Sequence, residues 1–291
     1  MASRFTGLTR REVGVICLVI LGLALLLAPT TIQRFGGGLT DRTVCMSNLA
    51  SIGKALVLYR ADNDNAWPWI ANVTGDWSRV PTGTNRAVDP AADPNDAGPR
   101  SITALMFLLV RDGQPVKLFV CPSTDDVKDN NIVDDANTPD DEEPPYFWDF
   151  SSHRNVSYSW QAPILDANGP YAQGLSDAAN DSAVIADQTP AVGPERWDNT
   201  AWDPKLEGAA VEPHVSPNHQ GVRLNLLYVG MNVSHSNRPD VGEGQDMIYT
   251  ASGRAEGGSR SATSVDLADH RSRRDSFLIG PVPSAAGPPA P

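Results

Sequence analysis

The sequence predicts an α+β protein, an N-terminal helical stem packed on a small antiparallel β-sheet with long loops, and three observations carry that expectation. Residues 13–33 hold no charged side chain. Apolar side chains then recur at Cys45, Leu49, Ile52, Leu56 and Tyr59, spaced 4, 3, 4 and 3 residues apart, which is the stripe of a helix that must bury one face. Beyond Tyr59, apart from one short helical run at Ser101 to Arg111, there are short β-type runs separated by segments rich in glycine and proline, of which the chain has 24 each, residues that favour turns.

Taken in order, residues 1–12 form a basic leader with Arg4, Arg10 and Arg11. The uncharged run 13–33, at about 1.5 Å per residue, matches a hydrocarbon core of ~30 Å. The expectation is a transmembrane helix over 13–33. Basic residues ahead of it place the N-terminus in the cytoplasm, making a single-pass inner-membrane protein with an extracytoplasmic C-terminal domain. The densest part, Val13 to Ala28, also suits the apolar region of a signal peptide, but Ala28-Pro29-Thr30 is a poor cleavage site. Pro29 and Gly36-Gly37-Gly38 predict a joint, because each helical glycine costs about 1 kcal/mol relative to alanine. A second helix is expected over residues 41–63, capped by Thr40 or Asp41.

Residues 64–279 are the expected extracytoplasmic domain. It opens on a loop to Pro99 that contains Trp67, Trp69 and Trp77. A helix Ser101 to Arg111 follows, with Ser101 as its cap and Gly113 just past its end. Strands are expected at Lys117 to Val120, Val156 to Gln161 and Ala183 to Asp187. The segment His219 to His235 reads as a hairpin, with Gly230-Met231 as a type II′ turn. Asp246 to Ala251 is expected to add the last strand, and residues 280–291 a disordered tail.

A net charge of −12 excludes nucleic acid as a partner class, because phosphate binding needs a basic surface. Ten acidic residues lie between Cys121 and Phe150 against the single Lys128, a pattern that fits a solvated loop. Of three cysteines, Cys17 falls in the apolar run. Cys45 and Cys121 remain as an even pair, either bridged or two buried thiols. The sequence has no Gly-x-Ser-x-Gly, Walker loop, Gly-x-Gly-x-x-Gly or His-Glu-x-x-His, which lowers the expectation of an enzyme. His214, His219 and His235 could share a metal with a carboxylate; the alternative is a loop-pinning His219 with the other two at the surface.

The run Gly7-Leu8-Thr9-Arg10-Arg11-Glu12 before an apolar segment resembles the leader of type IV pilins and type II secretion pseudopilins. Leu8 stands where phenylalanine is usual, and Arg10-Arg11 where apolar residues are usual. The pattern Cys45-x-x-Asn48-Leu49-x-x-Ile52-Gly53-x-Ala55-Leu56-x-x-Tyr59 is similar to the helix of a planctomycete-type group of pseudopilin-like proteins with a C-terminal His…Asp-Gly signature. Phe119-Val120-Cys121-Pro122-Ser123 resembles the same group. So do His219, Gly221, Asn225, Leu226, Leu227, Tyr228 and Val233, although Gly230-Met231 replaces the Asp-Gly.

The resemblance implies a pilin-like fold and a structural, non-catalytic subunit of a type II secretion or type IV pilus-like assembly. It implies cleavage of the Gly7-Leu8 bond by prepilin peptidase, methylation of the new amine at Leu8, and pairing of Glu12 with a neighbouring subunit's amine. Other pilin-like subunits, of this chain or of different ones, are the implied partners. The alternative is a non-polymerising, membrane-tethered cell-envelope domain for binding or scaffolding. Because secretion pseudopilins include calcium-binding members, Asp125, Asp126, Asp129, Asp134 and Asp135 are candidate calcium ligands; their spacing matches no EF-hand loop.

Overall fold

A computed structural model describes residues 14–19, 29–70, 80–90, 98, 100–132, 147–161, 165–166, 169–170, 180–190, 205, 207, 211, 215–242, 248–249 and 278–281. The chain divides into two compact units, Met1–Asp41 and Arg42–Pro291. In the first, residues 14–19 are helical, with Val15, Ile16, Leu18 and Val19 between 45% and 70% exposed.

One long helix, α1 (Pro29–Asp62), replaces the expected joint and second helix. Pro29 is its first residue, where a missing N–H breaks no helical bond. Gly36-Gly37-Gly38 lies inside it. Once the half from Cys45 onward is held by tertiary contacts, each preceding residue extends an existing helix without a new nucleation cost. Thr40 and Asp41 are therefore interior residues and cap nothing.

Among the described residues, no helix is long and apolar enough to cross a membrane. This overturns the expected single-pass inner-membrane placement with a cytoplasmic N-terminus. Helix α1 has the length, at about 1.5 Å per residue, but carries Arg34, Asp41, Arg42, Lys54, Arg60 and Asp62, and charges at mid-membrane are costly. Residues 20–28 of the uncharged run lie outside the described residues.

The second unit holds a five-stranded antiparallel sheet in the order β6-β5-β4-β1-β7, with strands β1 (Tyr158–Gln161), β4 (Ala183–Asp187), β5 (Leu224–Tyr228), β6 (Val233–Ser236) and β7 (Leu278–Ile279). A separate two-residue ladder joins β2 (Leu165–Asp166) to β3 (Gly169–Pro170). The α+β class with a small antiparallel sheet is thus what the chain adopts. Two apolar clusters divide the sheet residues between them. One joins Tyr158, Trp160, Val184, Ile185 and Leu227 to Cys45, Leu49, Ile52, Ala55 and Leu56 of α1, and to α2 (Thr103–Arg111). The other joins Ala183, Ala186, Leu224, Leu226 and Leu278 to Val211, Val215, Ile248 and Tyr249. A register shift between Ala183 and Ile185 breaks strict alternation along β4, so that Val184 and Ile185 in succession join the first cluster while Ala183 and Ala186 join the second.

Where α1 meets the sheet, the stripe read from the sequence is the buried face, and Gly53 packs against Leu227 of β5. A Cβ there would stand 3.0 Å from Leu227 Cδ1. Helix α2 is buried almost throughout, because Phe107 packs edge-on to Phe150 at 5.0 Å and Phe150 in turn meets Phe119 at 5.3 Å.

Several local expectations are corrected. Ser101 does not cap α2; Ile102 occupies that position without a side-chain bond, and the Ser101 hydroxyl instead donates to Asp149 Oδ2 at 2.6 Å. Lys117 to Val120 is not a strand. Residues Val116–Phe119 form a 3₁₀ turn, started by Pro115, whose carbonyl accepts from Leu118 N at 3.0 Å. The β5–β6 loop is not type II′. Met231 takes the positive φ of +61°, and Tyr228 N bonds Asn232 O at 3.1 Å, the pattern of a three-residue loop closed by a left-handed residue. Gly230 is needed for space, since a Cβ there would lie 3.1 Å from Asn180 O.

Among the described residues the last strand is β7; of the expected strand Asp246 to Ala251, Ile248 and Tyr249 are in a turn and the rest lie outside the described residues. Gly280 and Pro281, expected in a free tail, are buried. Trp67 is buried and Trp69 partly so, while Trp77 lies outside the described residues.

Candidate functional site

A group of buried polar side chains forms where the ends of β4 and β5, the Cys121 loop and helix α1 meet inside the second unit. Residues 216–221 build its central turn. Ser216 caps a 3₁₀ turn over Pro217–His219, its hydroxyl accepting from Asn218 N and donating to Gln188 O at 2.8 Å. Gln220 (φ +61°) and Gly221 (φ +73°) then take left-handed conformations in succession, which return the chain so that Gly221 N bonds Ser216 O at 2.9 Å. A side chain at Gly221 would be strained. The turn delivers His219 inward, 3% exposed.

Cys45 of α1 and Cys121 are joined in a disulfide with a Cα–Cα distance of 5.2 Å, and both are fully buried. Asn48, one turn along α1, donates from Nδ2 to Val120 O at 3.0 Å. A covalent and a polar link therefore tie the helix to the segment ahead of Ser123. His219 Nε2 stands 3.9 Å from Cys121 Sγ.

The imidazole's tautomer follows from its neighbours. Ser123 Oγ lies 2.9 Å from His219 Nδ1 and also bonds the Asn218 carbonyl. A hydroxyl has one proton; a carbonyl can only accept, so that proton goes to Asn218 and His219 Nδ1–H donates to Ser123. The lone pair on Nε2 then accepts from Asn225 Nδ2 at 2.9 Å. The second amide proton of Asn225 reaches Asp187 Oδ2 at 3.1 Å. Asp187 is fully buried at the end of β4. It also accepts from Asn225 N at 2.7 Å and from Asn218 Nδ2 at 3.1 Å, and stands 3.3 Å from His219 Nε2. Tyr249 donates to the Asp187 carbonyl at 2.8 Å. Burial, aided by the charge of Asp187, holds the phenols of Tyr158 and Tyr249 well above the ordinary tyrosine range.

Among the described residues, Cys45, Cys121 and His219 are the group whose ligand atoms could hold a metal, all lying within 4.8 Å of one another. The expected His214–His219–His235 set does not form there: His235 is exposed on β6 and His214 lies outside the described residues. Nor do Asp125, Asp126 and Asp129 converge on a calcium site. Asp125 is exposed, and Asp126 Oδ2 accepts from Ser157 Oγ at 2.7 Å. Asp129 is buried and takes donors from Asn131 N, Ser151 N and Ser151 Oγ between 2.6 and 2.9 Å, which pins the loop. Asp134 and Asp135 lie outside the described residues, as do Gly7, Leu8 and Glu12.

Of the motif residues, Leu49 and Ile52 are core, Gly53 is the close approach to Leu227, and Tyr59 is partly buried against the core. Comparison with family models, known proteins and solved structures finds no match.

Sequence reasoning missed Asp187, Asn218 and Ser123. The signal for Asp187 was present: an acid closing the otherwise apolar strand AVIAD is a buried charge, which needs partners. A second missed group surrounds Asp149, fully buried with donors from Gly83 N, Ser101 Oγ, Thr103 Oγ1 and Phe150 N between 2.6 and 2.8 Å. Burial raises its carboxyl to about 6 despite these bonds.

Proposed function

We propose that the chain is a structural, non-catalytic subunit of a pilin-like assembly of the type II secretion or type IV pilus kind, built through its N-terminal helical segment. The observation that carries this reading is apolar surface left uncovered on helix. Val15, Ile16, Leu18 and Val19 are 45–70% exposed, and Val44, Val57 and Leu58 of α1 are 40–58% exposed, while Cys45, Leu49, Ile52 and Leu56 of the α1 stripe are buried. Of these, Val15, Ile16, Leu18 and Val19 are contiguous within one helical stretch, and contiguous exposed apolar surface marks an interaction site. Like segments of neighbouring subunits are of matching chemistry, and the leader Gly7 to Glu12 resembles that of proteins that assemble in this way.

On this reading the disulfide and the Asn48 bond hold the second half of α1 to its own domain, so that load on the helix reaches the sheet through the Cys45–Cys121 link. Cleavage at Gly7-Leu8 frees the amine with which Glu12 of a neighbour pairs.

Cys17 gives the test, because it is exposed and outside the disulfide. A short bismaleimide crosslinker added to the full chain should produce a covalent dimer through Cys17, and Glu12→Ala should abolish the dimer while leaving the circular dichroism spectrum unchanged. A chain that stays monomeric under crosslinking across its soluble concentration range refutes the proposal. Mass spectrometry of the mature N-terminus tests the processing step separately.

A further inference from the structure

We propose that, when reduced, Cys45, Cys121 and His219 form a binding site for a thiophilic divalent ion of the zinc(II) class, so that one clamp on helix α1 closes covalently when oxidised and through a metal when reduced.

The three ligand atoms come from three separate elements, α1, the Cys121 loop and the 216–221 turn, yet all lie within 4.8 Å of one another in a fully buried place. In a tetrahedral site with zinc–sulfur bonds of about 2.3 Å and zinc–nitrogen bonds of about 2.0 Å, neighbouring ligand atoms stand roughly 3.5 to 4 Å apart. The Cys121 Sγ to His219 Nε2 distance is already 3.9 Å.

Side-chain chemistry points the same way. Imidazole ligates through a lone pair, and the bond from Nδ1–H to Ser123 Oγ leaves that lone pair on Nε2, the nitrogen nearer the sulfur. A polar partner on the far nitrogen is what orients metal-bound histidines. An ion on Nε2 would displace only the Asn225 amide, which keeps its other proton on Asp187 Oδ2. Asp187, 3.3 Å from Nε2, supplies negative charge beside the ion while remaining held by its own donors.

The chemistry balances. A trialkylphosphine gives two electrons to the S–S bond, water supplies two protons and an oxygen, and the products are two thiols and the phosphine oxide. The ion then replaces the two thiol protons, which leave to solvent. Return to the disulfide needs a two-electron oxidant such as glutathione disulfide, which takes two electrons from the thiolates and two protons from solvent to give two glutathione thiols as the ion is released.

The test uses the full chain in a Cys17→Ser background, reduced with phosphine and titrated with cobalt(II). One equivalent should bind with the charge-transfer absorption of thiolate–cobalt, zinc should displace it, and the oxidised protein should take up none. His219→Asn should weaken binding at least tenfold, and Ser123→Ala about tenfold through loss of the orienting bond. Absence of uptake by the reduced chain, or an affinity unchanged in His219→Asn, overturns the proposal. Should reduction unfold the domain, restoration of its circular dichroism by cobalt supports the site and failure to restore it counts against it.

Discussion

Asp149 makes a pH-dependent contribution to stability whose size follows from its surroundings. Its carboxyl is fully buried beside the start of α2, and burial raises it from the ordinary value of 3.8 to about 6. A group whose folded value lies above its unfolded one favours the fold when protonated. The contribution is complete below about pH 4 and is lost as pH rises through about 6. Roughly two pKa units at 1.36 kcal/mol each is about 3 kcal/mol of stability lost across that window.

Asp149→Asn isolates the effect. The amide keeps one acceptor oxygen but turns its NH2 toward two of the four donors, a hydroxyl that can rotate away and a backbone N–H, of Gly83 or of Phe150, that cannot. The variant therefore carries a cost of about 1–3 kcal/mol at every pH, but no titration. Urea unfolding of both proteins at intervals from pH 4 to 7.5 should show the wild type losing its advantage by about 3 kcal/mol between pH 4 and 7, whatever other groups do in common. A difference that stays constant with pH would show that the carboxyl remains ionised in the fold, held by its four hydrogen bonds, and would refute the reasoning.

Three further outcomes follow from the geometry. Unfolded, unreduced protein should react with one thiol reagent per chain, at Cys17, and the Cys45→Ser/Cys121→Ser double variant should lose up to about 4.5 kcal/mol in a chain-entropy treatment of the 76-residue separation, read from denaturant midpoints. Gly53→Ala should be nearly neutral, because about 1 kcal/mol of helix propensity offsets the 3.0 Å approach to a movable Leu227 methyl, whereas Gly53→Leu should cost about 1–3 kcal/mol by overpacking, measured by thermal unfolding. Gly221→Ala should destabilise by about 1–2 kcal/mol because its φ is +73°, seen as a lower urea midpoint at unchanged slope.

The local pattern was legible wherever one neighbourly rule decided the outcome. The stripe Cys45, Leu49, Ile52, Leu56 and Tyr59 named the buried face of α1 because helical period alone selects it. Ala183 to Asp187 and the β5–β6 hairpin were legible because short β-branched and apolar runs between turn residues have few other uses. Lys117 to Val120 misled for the opposite reason: its residues suit a strand, but Pro115 closes a local turn before any strand partner is reached. The glycine triplet misled because its cost is local, while the gain from extending a docked helix is cooperative. The membrane expectation rested on an uncharged run and on arginines before it, whereas the long helix that the chain forms carries charge along its length.

By itself the sequence determined the class of the fold, the buried face of α1, the absence of common enzyme signatures and the eligibility of Cys45 and Cys121 as a pair, since each depends on residue type and period. Only the tertiary structure decided that Cys121, His219, Ser123, Asn225 and Asp187 share one place. Those side chains come from separate elements up to about a hundred residues apart, and no periodicity links them. What joins them is the register of β4 against β5, which sets Asp187 beside Asn225, and the left-handed pair Gln220-Gly221, which turns His219 in toward the disulfide. Buried polar groups must find partners, and which partners they find is a property of the assembled sheet.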